Sequence, residues 1–332
     1  MTNETPVVRV IEGPGSWHSR AVNALLRLML RTPLRHDADI PALRRRYQNI
    51  DARHIPVSDR VSRESVDCDG VPAQWVSVPE SRAERVVLYL HGGSFAYRFP
   101  NAHANFAARL CERLEARALL PDYRLAPEHP FPAAPDDCLT AYRWLLARGI
   151  APHNLVIIGD SAGGNLALVT VQRARNDGDP LPACAVLLSP GVDGTLASPS
   201  MVDNADNDPM LRLNNLLVLR NHYVPASHLV THPHVSPLFG EFAGLPPLLL
   251  QVGSTELLRD EAIRAAQKAR AAGVDVELEI WPDTPHVFQI VSFLPESLQA
   301  LEHIVRFVLA RTGWKAPPVA APVAVRNTFG FK

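Results

Sequence analysis

The most informative segment of the chain is Leu155-Val156-Ile157-Ile158-Gly159-Asp160-Ser161-Ala162-Gly163-Gly164. Its apolar start predicts a short buried strand, and the small residues that follow predict a sharp turn into a helix. The turn contains the pattern Gly-x-Ser-x-Gly, in which a serine hydroxyl is exposed at the end of a strand. Since the start of the helix also places a positive dipole end beside that hydroxyl, we predict that Ser161 is a nucleophile.

A second glycine-rich turn, His91-Gly92-Gly93-Ser94, follows the predicted strand Val86–Leu90. Paired glycines let the main chain approach a ligand closely. The N–H groups of Gly92 and Gly93, together with that of Ala162, would then form an oxyanion hole. The alternative interpretation is an ordinary glycine turn after a strand. The histidine of this turn precedes the serine in the chain, so we expect it to orient the loop rather than to act as a base.

A nucleophilic serine needs a base, and the base needs an acid. His286 is the candidate base because it lies in a loop just after the predicted strand Val276–Ile280, and sites of open α/β sheets form at such strand ends. Glu256 is the candidate acid, since it follows the predicted strand Leu248–Val252. Serine, acid and histidine then occur in the chain order expected for this kind of turn. Asp260, a few residues further on, is the rival acid.

Short apolar runs alternate with helical patterns along most of the chain, which predicts a mostly parallel sheet with helices on both faces. Eight strands are predicted, over 61–67, 73–78, 86–90, 118–123, 155–158, 184–188, 248–252 and 276–280. The helices between and after them are predicted over 102–114, 135–147, 162–174, 261–272 and 295–310.

Two parts of the chain break this rhythm. Helical spacing over 16–31 and 41–49 precedes any strand signal. The stretch 190–248 has no clear strand, although it carries a helical pattern near 210–222. Because an insertion of this length is usually functional, we expect it to form a cap over the site together with the N-terminal helices. The final residues, 315–332, are rich in proline and alanine and are predicted to be extended.

The composition argues against several classes of protein. The 332 residues carry a formal net charge of −1, which indicates neither a nucleic-acid surface nor an acidic tail. The 4 cysteines are widely spaced, which disfavours a disulfide framework and a zinc site. We see no pattern of a signal peptide or a membrane span, so we expect a soluble, cytoplasmic protein without a metal.

Taken together, these motifs resemble those of the hormone-sensitive lipase-like family of α/β-hydrolase carboxylesterases. Gly159 to Gly164 matches the family's GDSAGG turn without change, and His91-Gly92-Gly93-Ser94 is similar to its HGGG loop. Asp122-Tyr123-Arg124-Leu125-Ala126-Pro127-Glu128 resembles its DYRLAPE segment. Pro285-His286-Val287-Phe288 falls where the family's histidine loop lies. The resemblance covers about 86 to 310.

The resemblance implies an α/β-hydrolase fold, with an eight-stranded, mostly parallel sheet, helices on both faces and a helical cap. The catalytic domain would comprise 56–194 and 240–314, and the cap would comprise 1–55 and the inserted 195–239, followed by the tail 315–332. The implied activity is hydrolysis of short- to medium-chain acyl esters through an acyl-enzyme, with Ser161, His286 and Glu256 as the catalytic residues. No cofactor is implied.

Other expectations concern the pocket and the partners. Phe95 and Val287 are candidate pocket walls, with core packing as the alternative. The only partner implied besides a small-molecule ester is a second copy, since dimers in this family form through the last strand and helix, here about 276–310. No nucleic-acid partner is expected.

Two positions depart from the family's pattern. Ser94 replaces the third glycine of HGGG, which places a side chain near the acyl group or the alcohol. Glu256 stands on the first aspartate of the family's D-P-L-x-D run, and a glutamate reaches slightly farther. Two other functions stay open: an amidase or lactonase that uses the same residues, and a non-catalytic ligand-binding protein on this fold. Plant gibberellin receptors resemble the family but lack its histidine, so His286 argues against the second.

Overall fold

The computed structural model describes residues 8–29 and 33–315. Within this part of the chain, a single sheet of nine strands forms the centre of the molecule. Its strands are β1 (Val8–Val10), β2 (Ser62–Cys68), β3 (Val71–Ser77), β4 (Val86–Leu90), β5 (Arg117–Pro121), β6 (Leu155–Asp160), β7 (Cys184–Leu188), β8 (Leu248–Gly253) and β9 (Val276–Trp281). The order across the sheet is β1-β9-β8-β7-β6-β4-β5-β3-β2.

The sheet is mostly parallel, as predicted. Only β3 pairs antiparallel to its neighbours β2 and β5, and the other neighbouring strands run parallel. The predicted count of eight strands is wrong, because β1 adds a ninth. Its residues Val8–Val10 pair with Leu278–Ile280 of β9. A strand of three residues is too short to show a period in the sequence, and it forms because the edge of β9 offers it hydrogen bonds.

The central strands are apolar on both faces because helices cover both faces. In β4, Val86, Leu88 and Leu90 belong to one buried cluster, whereas Val87 and Tyr89 belong to another on the opposite side. This alternation follows from the two-residue period of a strand. Both clusters are completed by helices, and the core therefore lies in two layers with the sheet between them.

The helices are α1 (Trp17–Met29), α2 (Ile40–His54), α3 (Pro100–Leu114), α4 (Ala133–Ala147), α5 (Ala162–Asp177), α6 (Ser200–Asp203), α7 (Leu213–Tyr223), α8 (Arg259–Ala271) and α9 (Pro295–Thr312). The helix predicted to start near residue 41 continues to His54, beyond its predicted end. Asp39 caps it, since its carboxylate accepts a hydrogen bond from the Ala42 N–H at 2.8 Å.

The N-terminal helices contact the inserted segment. The Arg27 guanidinium of α1 donates to the Asn207 carbonyl at 2.7 Å, and the Leu34 N–H donates to the Asn215 side chain at 2.8 Å. Ile40 of α2 and Leu219 of α7 share a small buried cluster. The two segments that interrupt the strand–helix rhythm therefore form one layer. The predicted tail, apart from Lys315, lies outside the described residues.

All four cysteines are buried free thiols, and burial raises the pKa of Cys111 to about 12. In the described ranges, every helix is too short or too polar to cross a bilayer.

Candidate active site

Ser161 lies on the sharp turn between β6 and α5, at the carboxyl edge of the sheet. Its backbone has φ 53° and ψ −117°, a strained conformation for a residue with a side chain. The turn requires glycine on both sides. A Cβ at Gly159 would collide with the Gly163 carbonyl, and a Cβ at Gly163 would collide with the carbonyl of Leu90 on β4. The pattern Gly-x-Ser-x-Gly is thus dictated by close main-chain packing.

Ser161, His286 and Glu256 form one hydrogen-bonded chain. His286 Nδ1 lies 2.7 Å from Glu256 Oε2, and His286 Nε2 lies 2.9 Å from Ser161 Oγ. Because a carboxylate only accepts, Nδ1 carries the proton and Nε2 is free to accept the serine hydroxyl proton. The structure therefore brings together the three residues predicted from the sequence, of which Ser161 and His286 are 125 positions apart.

Burial and the neighbouring charges shift the pKa of the His286 imidazole in opposite directions. Burial favours its neutral form, but the hydrogen bond and the charge of Glu256 outweigh burial and raise the pKa of His286. Asp208 and Asp160 act in the same direction at longer range. Glu256 is completely buried, which raises its own pKa, while the bond to His286 opposes that rise. The pair is therefore arranged to stabilise an imidazolium next to Ser161.

The Glu256 carboxylate accepts further hydrogen bonds besides the one from His286. Its Oε1 accepts from the Gly253 N–H at 2.5 Å and from the Ser189 hydroxyl at 2.8 Å. Asp260, the rival acid, is used elsewhere: it accepts from the Ser200 N–H at 2.9 Å and forms an ion pair with Arg259 at 2.8 Å. Of the two carboxylates, Glu256 is the one in contact with His286.

Ser189 is a site residue that the sequence analysis missed. It follows β7, has φ 46° and is fully buried. Its hydroxyl donates to Glu256 and accepts from the Val287 N–H at 3.1 Å, so it joins the acid to the histidine loop. Its position just past a strand, at the same edge as Ser161, was the one signal available in the sequence.

The inserted segment also reaches this site. Asn204 donates from its amide nitrogen to the carbonyls of Ser254 and Glu256, at 3.1 and 2.8 Å. Asp208 accepts from the N–H of Leu257 at 2.8 Å. The loop that carries Glu256 is thus fixed partly by residues from outside the strand–helix core.

The glycine loop after β4 differs from the prediction at Gly92. The Gly92 N–H donates to the Asp160 carboxylate at 3.0 Å, so it is not available to a substrate oxygen. Asp160 is itself buried and also accepts from the Tyr89 hydroxyl at 2.6 Å. Asp160 therefore anchors the loop to the serine turn. Beyond that anchor, Ser94 lines the pocket next to Ser161 and has φ 53°.

His91 lies under this loop as a neutral group. Burial, followed by the influence of His103, lowers the pKa of His91 to about 4. Its ring stacks on Tyr123 with centroids 4.2 Å apart, and its Nδ1 donates to the Gly92 carbonyl at 2.8 Å. These contacts fit a residue that orients the loop.

A pocket of about 80 Å³ opens beside Ser161. Phe95 lines it, and its ring stacks on Tyr223 with centroids 3.8 Å apart. Val287 does not belong to its walls: its backbone is turned by a φ of 53° and its N–H is bound by Ser189. Further apolar walls are leucines and valines from the insertion and from the loop before α8, namely Leu196, Leu216, Leu219, Val224, Val235 and Leu258.

A serine, a histidine and a carboxylate joined at the carboxyl edge of a parallel sheet are the geometry of serine hydrolases on α/β sheets. The family profile described as alpha/beta hydrolase fold matches residues 87–290. The chain belongs to this family, in its hormone-sensitive lipase branch.

Named relatives support the same placement. An acetyl-hydrolase of Streptomyces hygroscopicus is 39% identical over 242 residues, which are 73% of this chain and 80% of that protein. An esterase of Acinetobacter venetianus is 34% identical over 292 residues, covering 88% of this chain and 96% of that one. The crystal structure of an esterase from the bacterial hormone-sensitive lipase family is 37% identical, with a TM-score of 0.84 over 91% of this chain and 100% of that chain.

Proposed function

We propose that the chain is a serine carboxylesterase that hydrolyses short- to medium-chain acyl esters through an acyl-enzyme. The observation that carries this proposal is the hydrogen-bonded chain Ser161–His286–Glu256 beside an apolar pocket. Similarity to proteins named esterase and acetyl-hydrolase supports the choice of an ester bond.

In the first half of the reaction, His286 Nε2 takes the Ser161 proton while Oγ attacks the ester carbonyl. The bond to Glu256 steadies the imidazolium that forms. His286 then gives the proton to the alkoxy oxygen as its bond to the carbonyl carbon breaks. The alcohol leaves, and the acyl group stays bound to Ser161 Oγ. In the second half, His286 activates a water molecule that attacks this acyl group, and the acid is released.

The oxyanion that forms on the carbonyl needs donors, and we assign the N–H groups of Gly93, Ser94 and Ala162. The Gly92 N–H, which the sequence suggested, is bound to Asp160. Ser94 and Ala162 line the pocket beside Ser161, and Ala162 is the first residue of α5, where an N–H has no partner in its own helix. One such donor is worth about 3–4 kcal/mol of barrier.

The pocket size sets the expected acyl preference. A cavity of about 80 Å³ holds a handful of water-sized groups, which is comparable to a short acyl chain. We expect turnover of p-nitrophenyl esters to be fastest for short or middle chains and to fall steeply towards palmitoyl. A rate series from acetyl to palmitoyl tests this, and a maximum at palmitoyl would contradict it.

An amidase or lactonase with the same residues is the alternative function. Higher rates on a matched amide or lactone than on the ester would reveal it.

The pH dependence follows from the raised pKa of His286. The imidazole accepts a proton only when neutral, so kcat/KM is full above that pKa and is lost as the pH falls through it. We therefore expect the acid limb of the kcat/KM profile to lie above the ordinary histidine value of about 6.5. An acid limb at or below that value would show that the Glu256 carboxylate does not stabilise the imidazolium form of His286.

Ser189 is expected to act as a positioning residue. Changing Ser189 to alanine leaves Glu256 Oε1 and the Val287 N–H each short of one bond, a loss of about 1–3 kcal/mol. We expect kcat to fall on the order of 10- to 100-fold with little change in KM, together with a shifted acid limb.

Ser81→Ala is the matched control for Ser189→Ala. The Ser81 hydroxyl also bridges two main-chain groups, the Val78 N–H at 3.0 Å and the Ala116 carbonyl at 2.6 Å, but it lies away from the triad. Equal loss of activity in both variants would show that the Ser189 effect is one of general stability.

Three further assignments belong to this proposal. The predicted cap segment 1–55 includes Val8–Val10, which belong to the central sheet as β1. We therefore assign only α1, α2 and the inserted 195–239 to a cap over the pocket, supported by the Arg27 and Asn204 contacts. We expect a homodimer through α9 rather than through β9, whose outer edge is paired with β1. A sizing column would then give about twice the monomer mass.

The four free thiols support residence in the reducing cytoplasm, which cell fractionation tests.

A further inference from the structure

The side of helix α1 that packs on the rest of the protein is polar. The buried residues of α1 are Ser19 and Asn23. The Asn23 amide donates to the Asp283 carbonyl at 2.7 Å, which ties the helix to the loop that carries His286. A surface helix normally buries its apolar stripe and exposes its polar one, so the arrangement of α1 is inverted.

The large apolar residues of α1 form an exposed stripe on the other side. Trp17 is 66% exposed, Leu25 is 55% exposed and Leu28 is 80% exposed. At about 100° per residue, these three side chains lie within about 80° of one another around the helix axis, and we call them the α1 stripe. Because a contiguous apolar surface of this kind marks an interaction site, the stripe requires an occupant.

The charge beside the α1 stripe is positive. Helix α1 contains Arg20 and Arg27 and no acidic residue. Both arginines lie along the same border of the stripe, about 60–80° from Trp17 around the axis. The Arg27 guanidinium donates to the neutral Asn207 carbonyl, and the exposed Arg20 guanidinium has no hydrogen-bond or ion-pair partner within 8–29 and 33–315. Neither positive charge is therefore neutralised by a carboxylate of the described chain.

We propose that the α1 stripe docks on the surface of a membrane that contains anionic lipids. An inverted helix of this kind lies in the plane of the membrane surface, with its apolar side chains among the acyl chains and its arginines at the lipid phosphates. This mode of binding needs no membrane-spanning helix, and none of the described helices could span a bilayer. The inference goes beyond the proposed ester hydrolysis and does not depend on it.

A second copy of the chain fits the α1 stripe less well. A two-fold contact brings the same patch of both subunits together, so Arg20 and Arg27 of the two copies would meet with no acidic residue on α1 to pair them. One face of a 13-residue helix also covers only about 200 Å², well below the roughly 800 Å² that each partner of a stable interface buries. The tail 316–332 carries two basic residues and no acidic one, so its charge does not complement the arginines either.

The test is flotation of the full chain with lipid vesicles in the absence of any ester. One set of vesicles is phosphatidylcholine alone, and the other is phosphatidylcholine and phosphatidylglycerol in a two-to-one ratio. We expect the native chain to bind the mixed vesicles, and to bind them less at high salt. No binding to the mixed vesicles overturns the proposal, and this result is independent of whether the chain hydrolyses esters.

The apolar part of the proposal is tested with the double variant Leu25→Ser, Leu28→Ser, which should bind the mixed vesicles about 10-fold more weakly or worse. Phe239→Ser is the matched control, because Phe239 is also exposed but belongs to a short helix that packs against α5 and α8. Its binding should equal that of the native chain. Native binding by the double variant would show that another surface meets the lipid. A double variant that runs at half the native mass on a sizing column would show that a second copy covers the stripe. Either result overturns the proposal.

The charged part is tested with Arg20→Gln. We expect about 5-fold weaker binding to the mixed vesicles and no change on phosphatidylcholine alone. Arg63→Gln is the control, since Arg63 is an exposed arginine on β2, at the opposite edge of the sheet from β1. Native binding by Arg20→Gln to the mixed vesicles overturns the assignment to anionic lipid. Circular dichroism checks the folding of each variant, and exposed substitutions of this kind should change the unfolding temperature little.

Discussion

Replacing Ser161 with alanine is expected to lower kcat for p-nitrophenyl butyrate by a factor on the order of 10⁵ to 10⁶. The Ser161 hydroxyl lies 2.9 Å from the imidazole that would take its proton, and the variant leaves that base without a nucleophile. A residual rate above that in water should remain, since the oxyanion donors and the pocket are intact. Initial rates at saturating ester, with folding followed by circular dichroism, measure the effect.

Ser65→Ala is the control for this variant. It makes the same chemical change at an exposed position of the edge strand β2, and its activity should equal that of the native chain. If Ser161→Ala kept most of the activity while remaining folded, another residue would be the nucleophile and the account of the site would fail.

Changing Glu256 to glutamine is expected to lower kcat by about 10⁴-fold, the size seen when the carboxylate of a comparable triad becomes an amide. The amide nitrogen donates, so it favours the imidazole tautomer that has its proton on Nε2, where Ser161 needs an acceptor. Loss of the Glu256 charge also removes the main influence that raises the pKa of His286. The acid limb of the rate profile should therefore move to lower pH in this variant.

The control for Glu256→Gln is the rival acid. Asp260→Asn changes a carboxylate that binds the Ser200 N–H and Arg259 rather than His286. We expect its activity to stay within a few-fold of native, because neither of these contacts involves Ser161 or His286. A large loss in Asp260→Asn together with a small loss in Glu256→Gln would reverse the assignment of the acid.

The core strands were predictable because strands that are buried on both faces consist of apolar residues. In β4 and β7 all five residues are apolar and buried, and the predicted limits agree with the observed ones. The serine turn was predictable for a steric reason, since only glycine fits at 159 and 163. The apolar strands and the closely spaced glycines each form a local sequence pattern, even though the reason for glycine at 163 is a contact with the distant Leu90 carbonyl.

The features that escaped prediction depend on residues far apart in the chain. The strand Val8–Val10 forms because its residues pair with the edge of β9, 270 positions later, which no local period shows. The direction of the Gly92 N–H is set by the Asp160 carboxylate, and Ser189 acquires its role from Glu256 and Val287. Val287 has a positive φ and is not among the pocket walls, neither of which its apolar side chain suggests.

The most direct test of the account is covalent labelling with a fluorophosphonate, which reacts with an activated serine nucleophile. Intact-mass and peptide mass spectrometry of the treated chain should show one adduct, located on Ser161, with esterase activity lost in proportion to labelling. The adduct should be absent in Ser161→Ala and should form much more slowly in His286→Ala, because His286 Nε2 is the group that accepts the Ser161 proton. An adduct on another residue, or full inactivation of the chain with Ser161 unmodified, would contradict the account.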